Sequence, residues 1–292
     1  MVDLDMAKKG KVVTVMNMKG GVGKTTVTTN LSAIIAGSSL NDKYKQILVV
    51  DYDPQFNLSQ ALLSVVAYTT SQEEKRSISS VLCDQIDDLD LCQLQKPENT
   101  KPPRLVDVTV NVFKNNNRQL DIVPSTLDLM PLAISASEKA QLIMEQRFNN
   151  FIEQAKGRYD LILIDCHPAG SLFTKTSLKV SDHVLIPVSP HNYATRGVSL
   201  MLDFIKNLFF GEKKPKVHIL YNNIAPNDTA FLERVNNIPS FKKISLEHHL
   251  KKRNAFKDTM NGSGFIHETT KPHSSSAYQN IMQVAESLLN KL

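Results

Sequence analysis

A glycine-rich stretch at residues 19–26 carries the residue types that bind phosphate. It reads Lys-Gly-Gly-Val-Gly-Lys-Thr-Thr, after a short β-branched apolar run at 12–16 and before a run at 27–36 with helical apolar spacing. In a strand, turn and helix of this order, successive backbone N–H groups surround an anion and the helix N-terminus adds a partial positive charge. The common G-x-x-x-x-G-K-[ST] pattern is broken, because Met18 occupies its first glycine position and Lys19 adds a second lysine. The stretch predicts a nucleotide-binding loop.

The form K-G-G-x-G-K-T-[ST] resembles the deviant Walker A loop of the ParA/MinD superfamily of ATPases. The resemblance implies that Lys24 holds the β- and γ-phosphates of ATP and that Thr25 offers its hydroxyl to Mg²⁺. It also implies that Lys19 reaches across a dimer interface to the nucleotide of the partner subunit. The residues implied to contact ATP in this loop are Gly20, Gly21, Val22, Gly23, Lys24, Thr25 and Thr26.

Two acidic motifs follow predicted buried strands. Residues 46–50 run into the motif D-Y-D-P-Q, and a carboxylate at the carboxyl end of a parallel strand points into the crevice where open α/β sheets bind ligands. The motif resembles the family's D-x-D-P-Q, which implies that Asp53 positions or activates the attacking water and that Asp51 supports Mg²⁺. Residues 161–164 are apolar and end in Asp165, the Walker B pattern. Asp165 is therefore predicted to bind Mg²⁺ directly or through water.

Four residues at the ends of predicted strands have roles that the sequence leaves open. The family usually has D-C-P-P after the Walker B strand, and His167 replaces the first proline. A tolerated substitution in a turn is favoured over a histidine that acts near the γ-phosphate. Cys166 is expected to be a small buried residue and not a nucleophile. Asn222 and Asn223 follow a predicted strand at 217–221. In relatives an asparagine at this strand end often contacts the adenine ring, so the resemblance implies that role for Asn222, with Asn223 as the second candidate. A polar turn without a ligand is the alternative interpretation.

The composition is typical of a soluble globular protein. The 292 residues are 41% hydrophobic and 22% charged, which suits one large α/β domain or two small ones. No apolar run approaches the ~20 residues that span a bilayer, and the N-terminus lacks the basic and apolar segments of a secretory signal. The three cysteines form no C-x-x-C pair, which disfavours a disulfide framework and a zinc site. We expect a cytoplasmic protein.

Strands that alternate with helices predict an α/β fold. We expect one domain over 1–292, with a doubly wound, mainly parallel sheet and helices on both faces, as in P-loop NTPases. A helix is predicted at 57–66, with its first residue as the N-cap. The part at 67–120 reads as a variable, insertion-like region, with surface loops and one short helix at 67–104 and a strand at 106–113.

Positive charge is concentrated in the last third of the chain. The net charge is +5, and the part from residue 200 onward holds thirteen Lys or Arg and eight Asp or Glu. Such an excess indicates a polyanion partner, and a solvated helical face explains it nearly as well. The segment resembles the C-terminal region of ParA proteins, which implies non-specific DNA contacts by Lys251, Lys252 and Arg253. Because these residues lie far along the chain from the phosphate motifs, their replacement is expected to leave ATP turnover unchanged.

Three function classes share this loop. Redox or metabolic relatives that carry iron–sulfur clusters are disfavoured, because no suitably paired cysteines are visible. A MinD-type membrane-cycling ATPase is the alternative; it requires basic residues beside bulky apolar ones in a C-terminal helix, whereas beyond residue 271 only Lys291 is basic. No stable membrane association is therefore expected. The resemblance favours a ParA-type partition ATPase of the small subtype, since residues 1–10 are too short for a helix-turn-helix domain.

The resemblance to ParA implies a nucleotide switch. ATP would bridge a homodimer, and only the dimer would present a continuous basic surface to non-specific DNA. A ParB-like adaptor bound to a centromere-like DNA site would stimulate slow ATP hydrolysis, which dissolves the dimer. The implied role is segregation of plasmid or chromosomal DNA by a nucleoid-associated protein.

Overall fold

The computed structural model describes residues 9–38, 40–84, 97–134, 136–167, 171–191, 193–209, 214–258, 265 and 274–292. The strands in these ranges are β1 (Lys11–Val15), β2 (Gln46–Tyr52), β3 (Val110–Asn115), β4 (Arg118–Val123), β5 (Leu161–Cys166), β6 (His183–Val188) and β7 (Lys216–Tyr221). The helices are α1 (Lys24–Gly37), α2 (Asn57–Leu62), α3 (Val65–Glu73), α4 (Ile78–Leu82), α5 (Leu105–Val108), α6 (Leu129–Ile134), α7 (Glu138–Lys156), α8 (Leu172–Val180), α9 (Ala194–Leu208), α10 (Thr229–Asn236), α11 (Pro239–Ile244), α12 (Ala255–Asp258) and α13 (Ser274–Leu289).

The strands form one sheet in the order β3-β4-β2-β5-β1-β6-β7. All neighbouring strands are parallel except the edge pair β3 and β4, which is antiparallel. The predicted doubly wound, mainly parallel sheet is therefore confirmed. Strand order reverses around β1, which lies between β5 and β6, so the loop after β1 opens at the switch point where such sheets bind ligands.

Both faces of the sheet are covered by helices. Side chains alternate between the faces along a strand, so Ile47 and Val49 belong to one apolar cluster, together with residues of α1 and α13. Leu48 and Val50 belong to a second cluster, together with residues of α4 and α7. This two-sided burial explains why β2 is apolar at each position from Ile47 to Val50. Among the helices described, none is long and apolar enough to cross a membrane.

The helix predicted at 57–66 is wrong in its extent and in its N-cap. It is two helices, because the Ser64 side chain accepts a hydrogen bond from the N–H of Ala67 at 3.2 Å and starts α3 there. Asn57 is the first helical residue of α2, and Phe56 is the N-cap. The expected surface loops at 67–104 are likewise wrong at their start, where α3 continues; the predicted short helix is confirmed as α4.

The strand predicted at 106–113 begins later than expected. Its first part folds into α5, where Arg104 and Asp107 form an ion pair with Nη2 and Oδ1 2.7 Å apart at the start of the helix. An acidic residue in the first helical turn stabilises the N-terminus by its interaction with the helix dipole. The strand β3 starts at Val110, and the turn that follows places Asn116 in the left-handed region with φ 51°.

Candidate functional site

The loop between β1 and α1 has the backbone form of a phosphate cradle. Gly21 and Gly23 have φ of 73° and 86°, in the left-handed region where glycine is favoured, and Gly23 is the N-cap of α1. Lys24, the first residue of the helix, is 7% exposed. Burial lowers the pKa of its ammonium group, and the charges of Asp165 and Asp53 oppose that effect. The loop therefore leads directly into the N-terminus of α1 with a buried cation at its first residue, the arrangement that suits an anion.

Polar residues at the ends of β1, β6 and β7 fix this loop. Asn17 donates from Nδ2 to the carbonyl of Pro187 at 2.8 Å, and its Oδ1 accepts the N–H of Lys19 at 3.0 Å. Asn222 donates from Nδ2 to the carbonyl of Val22 at 2.8 Å. Sequence reasoning missed Asn17. The available signal was an asparagine directly after an apolar run, because an amide buried at a strand end must have its hydrogen bonds satisfied.

Asp165 lies at the base of the loop, beside two threonines of α1. Its Oδ1 accepts the hydroxyl of Thr28 at 3.3 Å, and the nearby side chain of Thr25 opposes the rise in the pKa of the carboxyl group. Sequence reasoning missed Thr28, which is one helical turn after Lys24 and therefore on the same face. Asp165 is 1% exposed, and burial raises its pKa to about 7.

Asp51 is the register partner of Asp165 on the neighbouring strand. Its Oδ2 accepts the N–H and the hydroxyl of Ser59 at 2.8 and 2.7 Å. Burial, and then the charge of Asp165, raise the pKa of Asp51 to about 8. Within the described residues, Oδ1 of Asp51 and Oδ2 of Asp165 are buried without a hydrogen-bond partner. Two adjacent buried carboxylates with unused oxygens suit a hard cation such as Mg²⁺, which prefers oxygen ligands.

Asp53 lies on the turn after β2, half-buried, and near enough to Lys24 and Asp165 for their charges to interact. Its Oδ1 accepts the N–H of Gln55 at 2.9 Å, and its carbonyl accepts the N–H of Phe56 at 2.9 Å. The structure thus brings together Lys24, Asp53 and Asp165, which are far apart in the sequence.

The two residues that follow Asp165 in the chain are Cys166, which is buried, and His167, which is half-buried. Cys166 is fully buried, accepts the hydroxyl of Ser177 at its Sγ at 3.3 Å, and has a pKa raised to about 12 by burial. A thiol in these surroundings stays protonated, in agreement with the predicted packing role. His167 is half-buried, and its N–H donates to the carbonyl of Tyr52 at 3.3 Å. Its preferred assignment as a tolerated substitution stays a prediction.

Lys19 lies at the start of the loop and is exposed. It borders a cavity of about 240 Å³ that Asn17, His191 and Tyr193 also line. Burial, and then the charge of Lys19, lower the pKa of His191. In the described part of the chain, no carboxylate forms an ion pair with Lys19, so its ammonium group is available to a ligand outside this subunit.

A second cavity, of about 200 Å³, connects the loop to the end of β7. Its lining includes Asn222 and Asn223, the residues proposed from the sequence to read the base. Asn223 has φ 58°, and its N–H donates to Oδ1 of Asn222 at 2.8 Å, so each asparagine orders the other. The remaining lining residues are Gly21, Val22, Gly23, Thr26, Ser189, Lys251, Arg253 and Phe256.

Lys251 and Arg253 line this cavity although they lie far along the chain from the phosphate loop, so distance along the chain does not separate them from the nucleotide site. The expectation that their replacement leaves ATP turnover unchanged stays a prediction. Leu250 and Lys252 hydrogen-bond to the backbone of Ile224, just past β7, at 3.0 and 2.8 Å, and this pairing carries the run to the carboxyl edge of the sheet. Lys251 and Arg253 line this cavity, and Lys252 does not. Nε of Arg253 is buried without a partner among the described residues.

Comparison with known proteins agrees with this geometry. The family model described as "AAA domain" matches residues 10–219. An uncharacterised protein of Methanocaldococcus jannaschii is 34% identical, over 72% of this chain and 70% of its own length. The sporulation initiation inhibitor protein Soj of Bacillus subtilis is 32% identical, over 68% of this chain and 65% of its own. The chromosome-partitioning ATPase Soj of Treponema pallidum is 29% identical, over 69% and 66%.

Solved structures share the fold at low sequence identity. A putative plasmid partition protein from Borrelia burgdorferi bound to AMPPNP has a TM-score of 0.71 at 21% identity, covering 97% of this chain and 100% of its own. ParA of pNOB8 bound to nonspecific DNA has a TM-score of 0.61 at 17% identity, covering 97% and 98%. The family match, the relatives and the deviant Walker A loop agree. The chain therefore belongs to the ParA-type family of P-loop ATPases.

Proposed function

We propose that this chain is an ATP-dependent switch that dimerises on ATP, binds DNA without sequence preference and segregates plasmid or chromosomal DNA with a ParB-like, centromere-binding adaptor. The observation that carries the proposal is that the two lysines of one loop have opposite surroundings. Lys24 is buried beside Asp53 and Asp165, whereas Lys19 is exposed and has no acidic partner in the described residues. One lysine is placed to bind the nucleotide of its own subunit, and the other is free to bind a second one.

ATP binding is assigned to the loop and to the cavity at the end of β7. The backbone of Gly20 to Thr26 and the Lys24 ammonium would hold the phosphates, with the base toward Asn222 and Asn223. Thr25, Asp51 and Asp165 would hold Mg²⁺, which neutralises negative charge on the phosphates when bound. The two unpartnered carboxylate oxygens support this assignment.

Hydrolysis is assigned to Asp53. Its carboxylate is only half-buried and its position is set by the turn that follows β2, so it can orient a water next to the phosphate that Lys24 holds. Lys19 of the partner subunit would add a second cation to the same phosphates. A subunit alone is then incomplete, which keeps the intrinsic rate slow until the dimer and the adaptor are in place.

DNA binding is assigned to the basic run Lys251, Lys252 and Arg253, whose members have different roles. Lys252 is exposed and does not line the nucleotide cavity, so it is the member best placed to contact DNA phosphates. Lys251 and Arg253 line the cavity and would link DNA affinity to the bound nucleotide. The ParA of pNOB8, which has been solved on nonspecific DNA, and the relative named a chromosome-partitioning ATPase support the proposed partners.

Co-sedimentation with duplex DNA of unrelated sequence tests the proposal. We expect the parent protein to sediment with DNA in ATP and Mg²⁺, and to stay in the supernatant with ADP or without nucleotide. Asp53→Ala should bind ATP, dimerise and remain on DNA, because its hydrolysis falls to a small residual rate. Lys24→Ala is the matched control and should stay in the supernatant in every condition. Equal sedimentation of the parent protein in all three nucleotide states contradicts a switch, and normal turnover by Asp53→Ala removes the role given to Asp53.

A further inference from the structure

The turn that carries Asp53 ends at a residue whose backbone is unusual for its side chain. Phe56 has φ 43° and ψ 27°, in the left-handed region, although it has a bulky side chain. Glycine adopts this conformation without penalty, whereas an aromatic residue does so only when its surroundings hold it there. The N–H of Phe56 donates to the carbonyl of Asp53 at 2.9 Å, so the backbone at residue 56 is coupled directly to that of Asp53.

The surroundings that hold Phe56 are supplied by helix α3. The ring of Tyr68 stacks on the ring of Phe56, with the centroids 5.8 Å apart and the planes at 19°. A stacked pair of this kind adds to the stability gained from burial. The contact between the rings of Phe56 and Tyr68 therefore offsets the free-energy cost of the left-handed backbone at Phe56, a cost that glycine would not have.

Tyr68 is itself fixed by a series of hydrogen bonds that returns to the site. Its Oη donates to the carbonyl of Ser125 at 3.1 Å, and the N–H of Ser125 donates to Oγ of Ser59 at 2.9 Å. The hydroxyl of Ser59 in turn donates to Asp51 at 2.7 Å. Burial, and then the charges of Asp51 and Asp128, raise the pKa of the Tyr68 phenol to about 12, which keeps it a hydrogen-bond donor. Both acidic residues of the D-Y-D motif are thus tied to the same small group.

We propose that Phe56 and Tyr68 are positioning residues that set the carboxylate of Asp53 for hydrolysis, so that α3 controls the rate without contacting the nucleotide. The inference rests on the proposed role of Asp53. Neither ring lines the nucleotide cavity, which separates their effect on rate from any effect on affinity. A displacement of the turn by a fraction of an ångström to one ångström is enough to slow a reaction that depends on an oriented water.

Single-turnover hydrolysis, with the protein in excess over ATP, tests the inference together with titration of a fluorescent ATP analogue. Tyr68→Leu removes the stack and should lower the hydrolysis rate by about tenfold or more, with nucleotide affinity within about twofold of the parent. Tyr68→Phe keeps the stacked ring and loses the hydrogen bond to Ser125, so its hydrolysis rate should lie between that of the parent and that of Tyr68→Leu. Thr69→Leu, an exposed neighbour in α3, is the matched control and should retain the parent rate. Phe56→Gly, which suits the left-handed backbone, should repeat the Tyr68→Leu result without impairing folding.

A double-mutant cycle shows whether the effect passes through Asp53. Tyr68→Leu should slow the parent and leave the residual rate of Asp53→Ala unchanged, because coupled residues are not additive. An equal fold loss in both backgrounds, or a loss of affinity with an intact rate, overturns the positioning role. If Tyr68→Leu and Phe56→Gly hydrolyse ATP at the parent rate while Asp53→Ala is strongly slowed, the positioning role is wrong and the proposed role of Asp53 stands. An active Asp53→Ala instead overturns the proposed function on which it rests.

Discussion

Gly23 and Asn222 are packed against each other so closely that a side chain on the glycine has no room. A Cβ built on Gly23 would lie 2.4 Å from Nδ2 of Asn222, the same atom that donates to the carbonyl of Val22. Gly23 also has φ 86°, which only glycine adopts readily. The first turn of α1 and the end of β7 are therefore fitted to each other at the point where the phosphate cradle closes.

Replacement of Gly23 by alanine should destabilise the protein through this contact. We expect Gly23→Ala to lower the free energy of unfolding by about 1 to 3 kcal/mol, because the backbone is strained and the amide of Asn222 must move. Gly20→Ala is the matched control, since a Cβ there meets no atom within 4 Å, and it should change the unfolding free energy by less than about 0.5 kcal/mol. Urea denaturation of both variants makes the comparison. Equal stability of the two variants contradicts the close fit.

The strand, loop and helix around residues 19–26 and the strands that end near Asp51 and Asp165 lie where local sequence pattern predicts them, whereas the roles of these residues stay predictions. A glycine-rich turn after a buried strand and acids at strand ends depend on local pattern, and parallel topology then brings Asp51 and Asp165 into register. The placement of Lys251 and Arg253 depends instead on a bridge between residue 224 and residue 251, which no local pattern encodes. The left-handed backbone at Phe56 was also missed, because an aromatic residue gives no signal for that conformation.

The two lysines of the loop should separate nucleotide binding from dimerisation. Lys24→Ala is expected to abolish ATP binding, because the phosphates lose their main buried cation. Lys19→Ala should bind ATP with affinity close to the parent, because Lys19 is exposed, yet fail to form the ATP dimer or to hydrolyse. Titration with a fluorescent ATP analogue and light scattering measure the two properties. A normal ATP-dependent dimer of Lys19→Ala contradicts its assignment to the partner's nucleotide.

Two buried histidines at the β6 and β7 pair should make stability depend on pH. Nδ1 of His183 lies 2.9 Å from Nε2 of His218, and burial lowers the pKa of each ring to about 4. Their pKa is near 6.5 in the unfolded chain, so the unfolded state binds protons first as the pH falls. The stability from this pair is therefore complete above pH 6.5 and is lost between pH 6.5 and 4.

Replacement of one histidine should reduce this dependence. His218→Gln is expected to be less stable than the parent at pH 7, because His183 loses its partner, but to lose less stability on acidification. The slope should decrease by at most about 1.4 kcal/mol per pH unit for each histidine that no longer titrates. Denaturation at pH 7, 5.5 and 4.5 measures the slopes. Parallel stability curves for variant and parent contradict the role of the pair.

The basic run should divide into a nucleotide-contacting part and a DNA-contacting part. Arg253→Ala is expected to weaken ATP binding in the absence of DNA by about tenfold, since a charged hydrogen-bond donor is removed from the cavity that the phosphate loop lines. Lys252→Ala should leave ATP affinity unchanged, because its side chain does not line that cavity. Titration of the two variants with the ATP analogue makes the comparison, and equal affinities contradict the division.

The Lys252→Ala variant should also bind DNA more weakly than the parent protein. Non-specific affinity comes mainly from counterions released by DNA phosphates, so it falls steeply with salt. Lys252→Ala should weaken binding to all sequences alike and reduce the salt slope by about one unit. Lys114→Ala, an exposed lysine on the edge strand at the other side of the sheet, is the control for overall charge and should keep the parent slope. If Lys252→Ala keeps the full slope, its assignment to DNA contacts is wrong. If the parent protein binds anionic vesicles and not DNA, the membrane-cycling alternative replaces partition.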